Sequence, residues 1–359
     1  WYPGESLPRW TFSLYWRRDG KPIWQNPDLI AEEGSDANVG EADARAVLTG
    51  IAEELGVEPD MVQPAYEDPA EWIIKEGNLP KNVDPSNSKL EDPEERSRIA
   101  RVFERGLTTP TGHILPIQAW NARATGRRWI SEKWRTRRGR IFLVPGDSPV
   151  GYRLPLGALP YLTPSNYPYI NPADPSEDKP PLPDFSEPGR AMAEASFQAS
   201  EAGQDRIEQV RSEIVGAVRT AMSVEARDGR LSIFMPPVER VEDYLDLVTA
   251  AERAAARLGL PVHIEGYAPP HDERLNVVRV APDPGVIEVN IHPAADWQEC
   301  VDITSIVYEE ARQSRLGADK FMIDGRHTGT GGGNHVVVGG KNPNDSPFLR
   351  RPDLLKSLV

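Results

Sequence analysis

The sequence is nearly devoid of cysteine and lacks any long apolar run. Its 359 residues include a single cysteine, Cys300, which excludes an intramolecular disulfide and favours a reducing compartment. We therefore expect a cytoplasmic protein. No apolar run approaches the roughly 20 residues that a membrane span needs, so no membrane partner is expected.

Positive charge is also scarce. The chain carries 41 Lys and Arg residues against 55 Asp and Glu residues, and its formal net charge is -14. A nucleic-acid binder needs a basic footprint for the phosphate backbone, so this balance argues against a nucleic-acid partner. The chain begins at Trp1 without an initiator methionine, and we expect it to be an internal fragment of a longer protein.

Several familiar catalytic motifs are absent. The sequence has no Gly-x-x-x-x-Gly-Lys-Ser/Thr phosphate loop, no His-Glu-x-x-His or paired Cys-x-x-Cys zinc spacing, and no Gly-x-Ser-x-Gly elbow. Cys300 lies among acidic residues on a predicted helix and is a poor candidate for a catalytic nucleophile. His113 and His271 are expected to lie on the surface.

Proline and tryptophan divide the chain into regions. Residues 1–185 are rich in both, and all tryptophans except Trp297 lie at or before Trp134. We interpret these indoles as packed and hydrogen-bonded rather than as a binding surface. A linker is predicted over 186–205, and a second region with regular secondary structure over 206–359.

Periodicity predicts a mixed α+β fold. Apolar spacing predicts helices over 41–55, 241–258 and 297–316. Alternating segments predict hairpins around Asp19-Gly20 and Asp228-Gly229, further strands over 261–267, 275–280, 286–291 and 320–323, and a short strand at 336–338. Because hairpins dominate, we expect a largely antiparallel sheet with helices on one face.

A glycine-rich loop is the most informative segment of the chain. Five glycines lie between Gly325 and Gly333, and the run continues into Asn334, His335 and a β-branched stretch. Glycine lets backbone N–H groups approach an anion closely, so this loop predicts a phosphate-binding or metal-binding site. The residues expected to meet the anion are Gly329, Gly331, Gly332, Gly333 and Asn334. Arg326 is suited to meet a phosphate or carboxylate group.

Three predicted strands each carry one central glutamate: Glu225, Glu265 and Glu288. Carboxylates that converge from neighbouring strands, joined by a histidine such as His335, are typical ligands of Mg²⁺ or Mn²⁺. On an alternating strand, Glu288 also shares its face with Asn290 and His292. An ordinary solvent-exposed strand face explains each of these residues taken singly.

Five segments of the chain resemble an amidoligase family that is usually found fused behind a bacterial transglutaminase-like domain. The resemblance covers essentially the whole chain, and the matching segments are 1–9, 145–149, 282–293, 324–340 and 346–352. It implies a transglutaminase-like domain before Trp1 as a fused partner and more of the ligase after Val359, so that 206–359 is expected to be a catalytic core that is incomplete at its C-terminus.

The same resemblance extends to the fold of glutamine synthetase. That fold has Gly-Gln-x-Glu, a helix, Phe-Met and a glycine loop ending in histidine; here Gly285 to Glu288, Phe321-Met322 and Gly331 to His335 follow in this order. The match implies that Glu288 is a metal ligand and that His335 binds metal or ATP phosphate. Glu225 resembles the first-strand glutamate, Glu265 has no clean counterpart, and a valine replaces a second histidine.

The resemblance therefore implies an ATP-dependent carboxylate–amine ligase that works through an acyl phosphate with Mg²⁺ or Mn²⁺. Glu288, His335 and Arg326 are its expected catalytic residues, and Glu225, Glu265, Glu288 and His335 its expected metal ligands. Gly329, Gly331, Gly332, Gly333 and Asn334 are its expected ATP-binding residues. A peptide or glutamate-like carboxylate and an amine are the expected substrates. Two alternatives remain: a non-catalytic interaction segment of the fusion protein, and a metal-dependent hydrolase.

Overall fold

A computed structural model describes most of the chain. The described residues are 11–78, 102, 107–119, 129–162, 179–184, 218–283, 286–317, 319–329, 335–340 and 343–358. They belong to two compact units, each built from separated segments of the sequence. The core unit contains Ile23–Asn171 and Leu182–Pro270, and the flanking unit contains Trp1–Pro22, Pro172–Pro181 and His271–Val359.

The core unit is organised around a six-stranded mixed sheet. Its strands, in the order in which they neighbour each other, are β6 (Ile141–Phe142), β2 (Gln63–Tyr66), β3 (Gly112–Pro116), β7 (Ala221–Arg227), β8 (Arg230–Met235) and β9 (Val262–Gly266). The three central pairings are antiparallel, and the two outer ones, β6 with β2 and β8 with β9, are parallel. A separate two-stranded pair joins β4 (Gln118–Ala119) to β5 (Trp129–Ile130).

Two helices, α1 (Glu41–Glu54) and α3 (Val241–Leu258), provide much of the main apolar core of this unit. Alternate residues of β7, β8 and β9, among them Val224, Ile233 and Val262, are fully buried in the same cluster. Period-3.6 apolar stripes on the helices thus meet period-2 apolar faces on the strands. The shorter helix α2 (Pro69–Gly77) buries Trp72 in a smaller cluster.

The opposite face of the same sheet is divided in two. Toward β6 and β2 it is covered by a second apolar cluster that includes Ile114, Trp134 and Val150. Toward β8 and β9 the side chains on this face are polar or aromatic. Glu225, Ser232, Phe234 and Glu265 occupy the positions that alternate along the strands with residues of the main apolar core. We call this polar part the open face, although Glu225, Ser232 and Phe234 on it are buried.

The flanking unit has a different character. An antiparallel sheet joins β1 (Phe12–Arg17), β10 (Leu275–Asp283) and β11 (Val286–Asn290), and a small pair joins β12 (Lys320–Phe321) to β13 (His327–Thr328). Its helices are α4 (Trp297–Gln313), α5 (Pro347–Arg350) and α6 (Pro352–Leu358). None of the apolar clusters formed by described residues includes a residue of this unit.

The α+β class and the largely antiparallel pairing are confirmed. The hairpin at Asp228-Gly229 forms as predicted, and the helix of 241–258 has the predicted bounds. The helix predicted over 297–316 ends earlier, at Gln313, where Ser314 takes the capping position. Across the described residues, no helix has both the length and the apolar character of a bilayer-spanning segment.

Three local predictions are wrong. No hairpin forms around Asp19-Gly20, because 12–17 pairs with the distant strand β10 instead of with 21–24. Residues 336–338 form no strand and are exposed, since a short β-branched run is not stable as a strand without a partner. His113 is buried, because it lies on β3 between two paired strands, whereas His271 is exposed as expected. The predicted linker over 186–205 lies outside the described residues.

The interpretation of the tryptophans as packed and hydrogen-bonded is confirmed for three of them, whereas Trp16 and Trp24 are only partly buried. The indole of Trp72 donates to Glu67 at 2.9 Å, that of Trp129 to Asp246 at 2.7 Å, and that of Trp134 to the Val218 carbonyl at 2.8 Å. All three indoles are buried. They act as packed side chains whose single polar atom is satisfied.

Candidate functional site

The open face of the core unit joins two of the predicted glutamates through one arginine. Glu225 lies on β7 and Glu265 on β9, with β8 between them. Arg227 donates from Nη1 to Glu225 Oε1 at 2.7 Å and from Nη2 to Glu265 Oε2 at 2.5 Å. Two carboxylates therefore share one guanidinium, and the group keeps a net negative charge when both carboxylates are ionised.

Burial disfavours the ionised form of the Glu225 side chain. Removal from water raises the pKa of its carboxyl, while a hydrogen bond from the Val150 backbone N–H at 3.0 Å and the charge of Arg227 oppose that rise. Burial lowers the pKa of Arg227, but the hydrogen bond to Glu265 and the two negative charges raise it by more. The charged forms of Glu225 and Arg227 are thus each stabilised by the opposite charge beside them.

One oxygen of the pair lacks a hydrogen-bond partner. Glu265 Oε1 is buried, and no donor reaches it. A buried acceptor without a partner costs roughly 1–3 kcal/mol, and more when it is charged. The charge of Glu265 is balanced instead through its other oxygen, Oε2, which accepts a hydrogen bond from Arg227.

The donor chemistry of this pair fits a hard divalent cation. Within the described part of the chain, no three His, Cys, Asp or Glu side chains are grouped closely enough to hold a metal ion. Mg²⁺, however, is usually bound by only one or two carboxylates, with water and substrate phosphates completing its shell. Glu225 and Glu265 supply such a pair of carboxylates.

An aromatic group lies beside these carboxylates. Phe234 is directly opposite Glu265 in the register of β8 and β9, so their side chains share the open face. The ring of Phe234 is buried and packs edge-on against Tyr152, with centroids 4.7 Å apart, and against Tyr267, with centroids 6.0 Å apart. The two tyrosine rings lie 5.8 Å from each other. We call these three residues the aromatic corner.

The turn of Val150–Tyr152 connects the carboxylates to the aromatic corner. Its first residue donates its N–H to Glu225, and its last contributes a ring to the corner. The residue between them is Gly151, where an added Cβ would lie 2.0 Å from the Phe234 ring. Only glycine lets the backbone pass so close to the ring, so this residue determines the position of both groups.

Gly266 also allows a close backbone approach, at the end of β9. Its φ of +101° is disfavoured for residues with a side chain, and an added Cβ would lie 2.6 Å from the Met235 carbonyl oxygen. The next residue, Tyr267, donates its N–H to that same carbonyl at 3.0 Å. Glycine at 266 therefore brings Tyr267 back against β8, where its ring meets Phe234.

The other predicted site residues lie in the flanking unit. Glu288 and Asn290 share a face of β11 as predicted, and the Asn290 amide donates to Glu288 at 2.7 Å in an exposed position. His292 lies beyond the strand end and packs edge-on against Trp16, with ring centroids 4.8 Å apart. Burial lowers the pKa of His292, and its Nδ1 is buried without a hydrogen-bond partner.

The glycine loop is described only in part. Gly331, Gly332, Gly333 and Asn334 lie outside the described residues, and Gly329 has open space around it. Arg326 is exposed and paired with Asp324 at 2.6 Å, and His335 is exposed. Their predicted roles in nucleotide and metal binding stay predictions.

Sequence reasoning missed part of this arrangement. Alternation along β7 places Arg227 on the face of Glu225, but no local pattern indicates that it reaches across β8 to Glu265. Tyr152 lies in a proline-rich stretch without periodic signal, so nothing in the sequence linked it to Phe234. The sequence Glu265-Gly-Tyr267 was the available signal, because a glycine that ends a strand often marks a close backbone approach.

Comparison with known proteins gives one match over the whole chain. No curated protein and no solved structure matches the sequence. The family model described as "Putative amidoligase enzyme" matches residues 1–359. This chain therefore belongs to that amidoligase family.

Proposed function

We propose that this protein is an ATP-dependent carboxylate–amine ligase and that the open face of the core unit forms part of its active site. Family membership supports the formation of an amide bond. The observation that carries the assignment to this face is the Glu225–Arg227–Glu265 group, in which two largely buried carboxylates share one guanidinium and one carboxylate oxygen has no partner.

The proposed reaction has two steps. A substrate carboxylate oxygen attacks the γ-phosphorus of ATP, the bond to the β-phosphate oxygen breaks, and an acyl phosphate and ADP form. The amine nitrogen then attacks the acyl carbon, the bond to phosphate breaks, and the nitrogen loses a proton to a base. The products are an amide, ADP and phosphate. No redox change occurs, so ATP is the only co-reactant that the step needs.

Glu225 and Glu265 would hold Mg²⁺ or Mn²⁺. When bound, such an ion neutralises negative charge on the ATP phosphates during transfer. The protein's own contribution is to keep the two carboxylates at fixed positions. Arg227 does this by donating to both, and the Val150 N–H fixes the first of them. Arg227 is also suited to meet a phosphate oxygen, because a guanidinium binds such groups with two hydrogen bonds.

Residues of the flanking unit are part of the proposal on different grounds. Glu288 and His335 are proposed metal ligands, and Arg326 and the loop glycines are proposed to bind phosphate, because their motifs resemble those of glutamine synthetase. Each is tested by its own substitution. We also propose a peptide or glutamate-like carboxylate as the acyl substrate, and a transglutaminase-like domain as the fused partner of this chain.

Trapping the acyl phosphate tests the ligase activity directly. The whole protein is incubated with MgATP, glutamate or short glutamate-containing peptides, and hydroxylamine, which converts acyl phosphates to hydroxamates. We expect ADP and hydroxamate in equal amounts, with both products lost on chelation of Mg²⁺. Glu225→Gln and Glu265→Gln should each abolish product formation, while Glu239→Gln, an exposed control, should retain it. Full activity in both site variants would refute the assignment, and amide hydrolysis without ADP release would indicate the hydrolase.

A second candidate function is an interaction segment without catalysis. It is favoured by the flanking unit, where Phe12, Leu14, Ile287 and Val289 lie on one face of the three-stranded sheet and are exposed. Such a surface is typical of a contact with another protein. Titration with Mg²⁺ discriminates the two candidates, because a scaffold has no reason to bind this ion through Glu225 and Glu265.

A further inference from the structure

The aromatic corner presents two accessible rings over a closed base. Tyr152 is 55% exposed and Tyr267 is 45% exposed, whereas Phe234 beneath them is 2% exposed. The rings of the tyrosines are tilted by 55° to each other, so they form two sides of a shallow corner and do not stack. Exposed aromatic side chains that are held this firmly by a buried third ring are suited to ligand contact.

Negative charge borders this corner. The side chain of Glu265 lies opposite Phe234 in the strand register, and Glu225 lies on the same face, one strand beyond Phe234's own. Arg227 compensates only one of the two carboxylates, and Glu265 Oε1 has no hydrogen-bond donor. The aromatic rings and the net negative charge of the Glu225–Arg227–Glu265 group both stabilise a nearby positive charge, so together they attract an organic cation.

The aromatic rings also favour a ligand that has an apolar part. A free ammonium ion is strongly hydrated and has no apolar part with which to cover the tyrosine rings. A primary alkylammonium ion directs its –NH₃⁺ group to the carboxylate and its methylene groups to the rings, so that it gains from both charge and apolar contact.

We propose that Tyr152, Phe234 and Tyr267, beside the negatively charged Glu225–Arg227–Glu265 group, form the subsite for a primary alkylamine, bound as its ammonium ion, and that this amine, after losing one proton to a base, is the acceptor in amide formation. The acceptor role rests on the proposed ligase function; the binding site itself does not. The substrate class is therefore an organic amine with an alkyl chain, such as a lysine-like side chain, and not ammonia.

Calorimetric titration in the absence of nucleotide tests this subsite. The probes are n-butylammonium chloride, ammonium chloride and n-butanol, each at the same ionic strength. We expect n-butylammonium to bind, and ammonium and n-butanol to bind at least about tenfold more weakly. Equal affinity for ammonium and n-butylammonium, or no binding of n-butylammonium, would overturn the proposal.

Matched substitutions locate the binding. Tyr152→Leu and Tyr267→Leu keep apolar area but remove the ring faces, and each should weaken n-butylammonium binding roughly 2- to 30-fold. Tyr152→Phe should bind like the wild type, because the ring face is retained. Tyr161→Leu is the control, since Tyr161 is 84% exposed and belongs to no ring contact of the described residues. Equal losses in the control and in Tyr152→Leu would contradict the proposed subsite.

The two proposals fail in different ways. If the ligase assignment is wrong, n-butylammonium still binds and loses affinity in Tyr152→Leu, but no ADP forms with any amine. If the subsite is wrong, hydroxamate still forms in the trapping reaction, and Tyr152→Leu leaves amine binding unchanged. Circular dichroism of each variant verifies that the fold is retained.

Discussion

The core unit and the flanking unit carry similar kinds of secondary structure but are held together differently. In the core unit, helices and strands bury a shared apolar cluster, and the sheet is covered by it on one face. In the flanking unit, the described helices bury no residue, and the three-stranded sheet exposes apolar side chains such as Phe12 and Leu14. The two units thus share the same kinds of secondary structure, but among the described residues only the core unit combines them with a shared buried apolar cluster.

The difference extends to the candidate site residues. Glu225 and Glu265 are held by a shared arginine and by a backbone N–H on a sheet whose position is determined by packing. Glu288 is held by a single exposed hydrogen bond from Asn290. Catalytic groups need positions defined to within a fraction of an ångström, and only the first pair has surroundings that provide this.

The largest predicted effect is a loss of stability on breaking an ion pair, and it should differ between the core unit and the flanking unit. Glu67 and Arg153 form a buried pair in the core unit, and Thr111 and Trp72 also donate to the carboxylate. Glu67→Gln leaves the buried guanidinium without its counter-charge, so we expect about 3–5 kcal/mol of lost stability in urea unfolding.

The matched control is the exposed pair of Asp324 and Arg326 in the flanking unit. Asp324→Asn should leave the unfolding midpoint unchanged, because water screens and solvates both partners. Similar losses in the two variants would show that the units do not differ in the way described.

A second comparison uses two leucines. Leu48 on α1 is 0% exposed, whereas Leu14 on β1 is 68% exposed. Leu48→Ala removes buried methyl groups and leaves a cavity, so a loss of about 2–5 kcal/mol is expected, and Leu14→Ala should change stability by less than about 0.5 kcal/mol. Thermal and urea unfolding measure both. A large loss for Leu14→Ala would mean that the apolar face of the flanking sheet is covered.

The smallest predicted effect is a pH dependence in the core unit. Burial lowers the pKa of His113 below its ordinary value of 6.5, while the nearby Glu41 carboxylate, at 3.1 Å from Nε2, partly opposes this. The unfolded chain therefore binds the proton more readily than the folded one. The contribution of neutral His113 to the free energy of unfolding is fully present above pH 6.5. It should be lost as the pH falls toward and through the pKa of His113 in the folded protein.

Urea unfolding across this range measures the effect of His113. His113→Gln should remove the part of the pH dependence that arises from this residue, and His271→Gln, at an exposed position, should keep the wild-type slope. A wild-type protein that becomes more stable as the pH falls below 6.5 would contradict the direction of this shift.

The predictability of the fold from sequence follows the range of the interactions. The helix of 241–258 and the hairpin at Asp228-Gly229 were predictable, because periodicity and turn residues act locally. The partner of Phe12–Arg17 was not, since its strand pairs with residues more than 250 positions away. Alternation alone does not specify which strand a sequence will pair with.

The same distinction applies to the candidate site. Glu225, Glu265 and Glu288 were found as central residues of alternating strands, which is a local property. The bridge of Arg227 across β8 and the packing of Tyr152 on Phe234 depend on strand order and on a turn that is remote in sequence. The burial of His113 was missed for the same reason, because it requires knowing that β3 lies between two other strands.

Binding of MgATP by the whole protein tests the central claim most directly, because it requires no knowledge of the carboxylate or amine substrate. Calorimetry compares the wild type with the Glu225→Gln/Glu265→Gln double variant and with the exposed control Glu239→Gln. We predict that the wild type and the control bind MgATP with equal affinity and that the double variant binds it at least about tenfold more weakly. Equal affinity in all three proteins would contradict the assignment of the open face as the nucleotide and metal site.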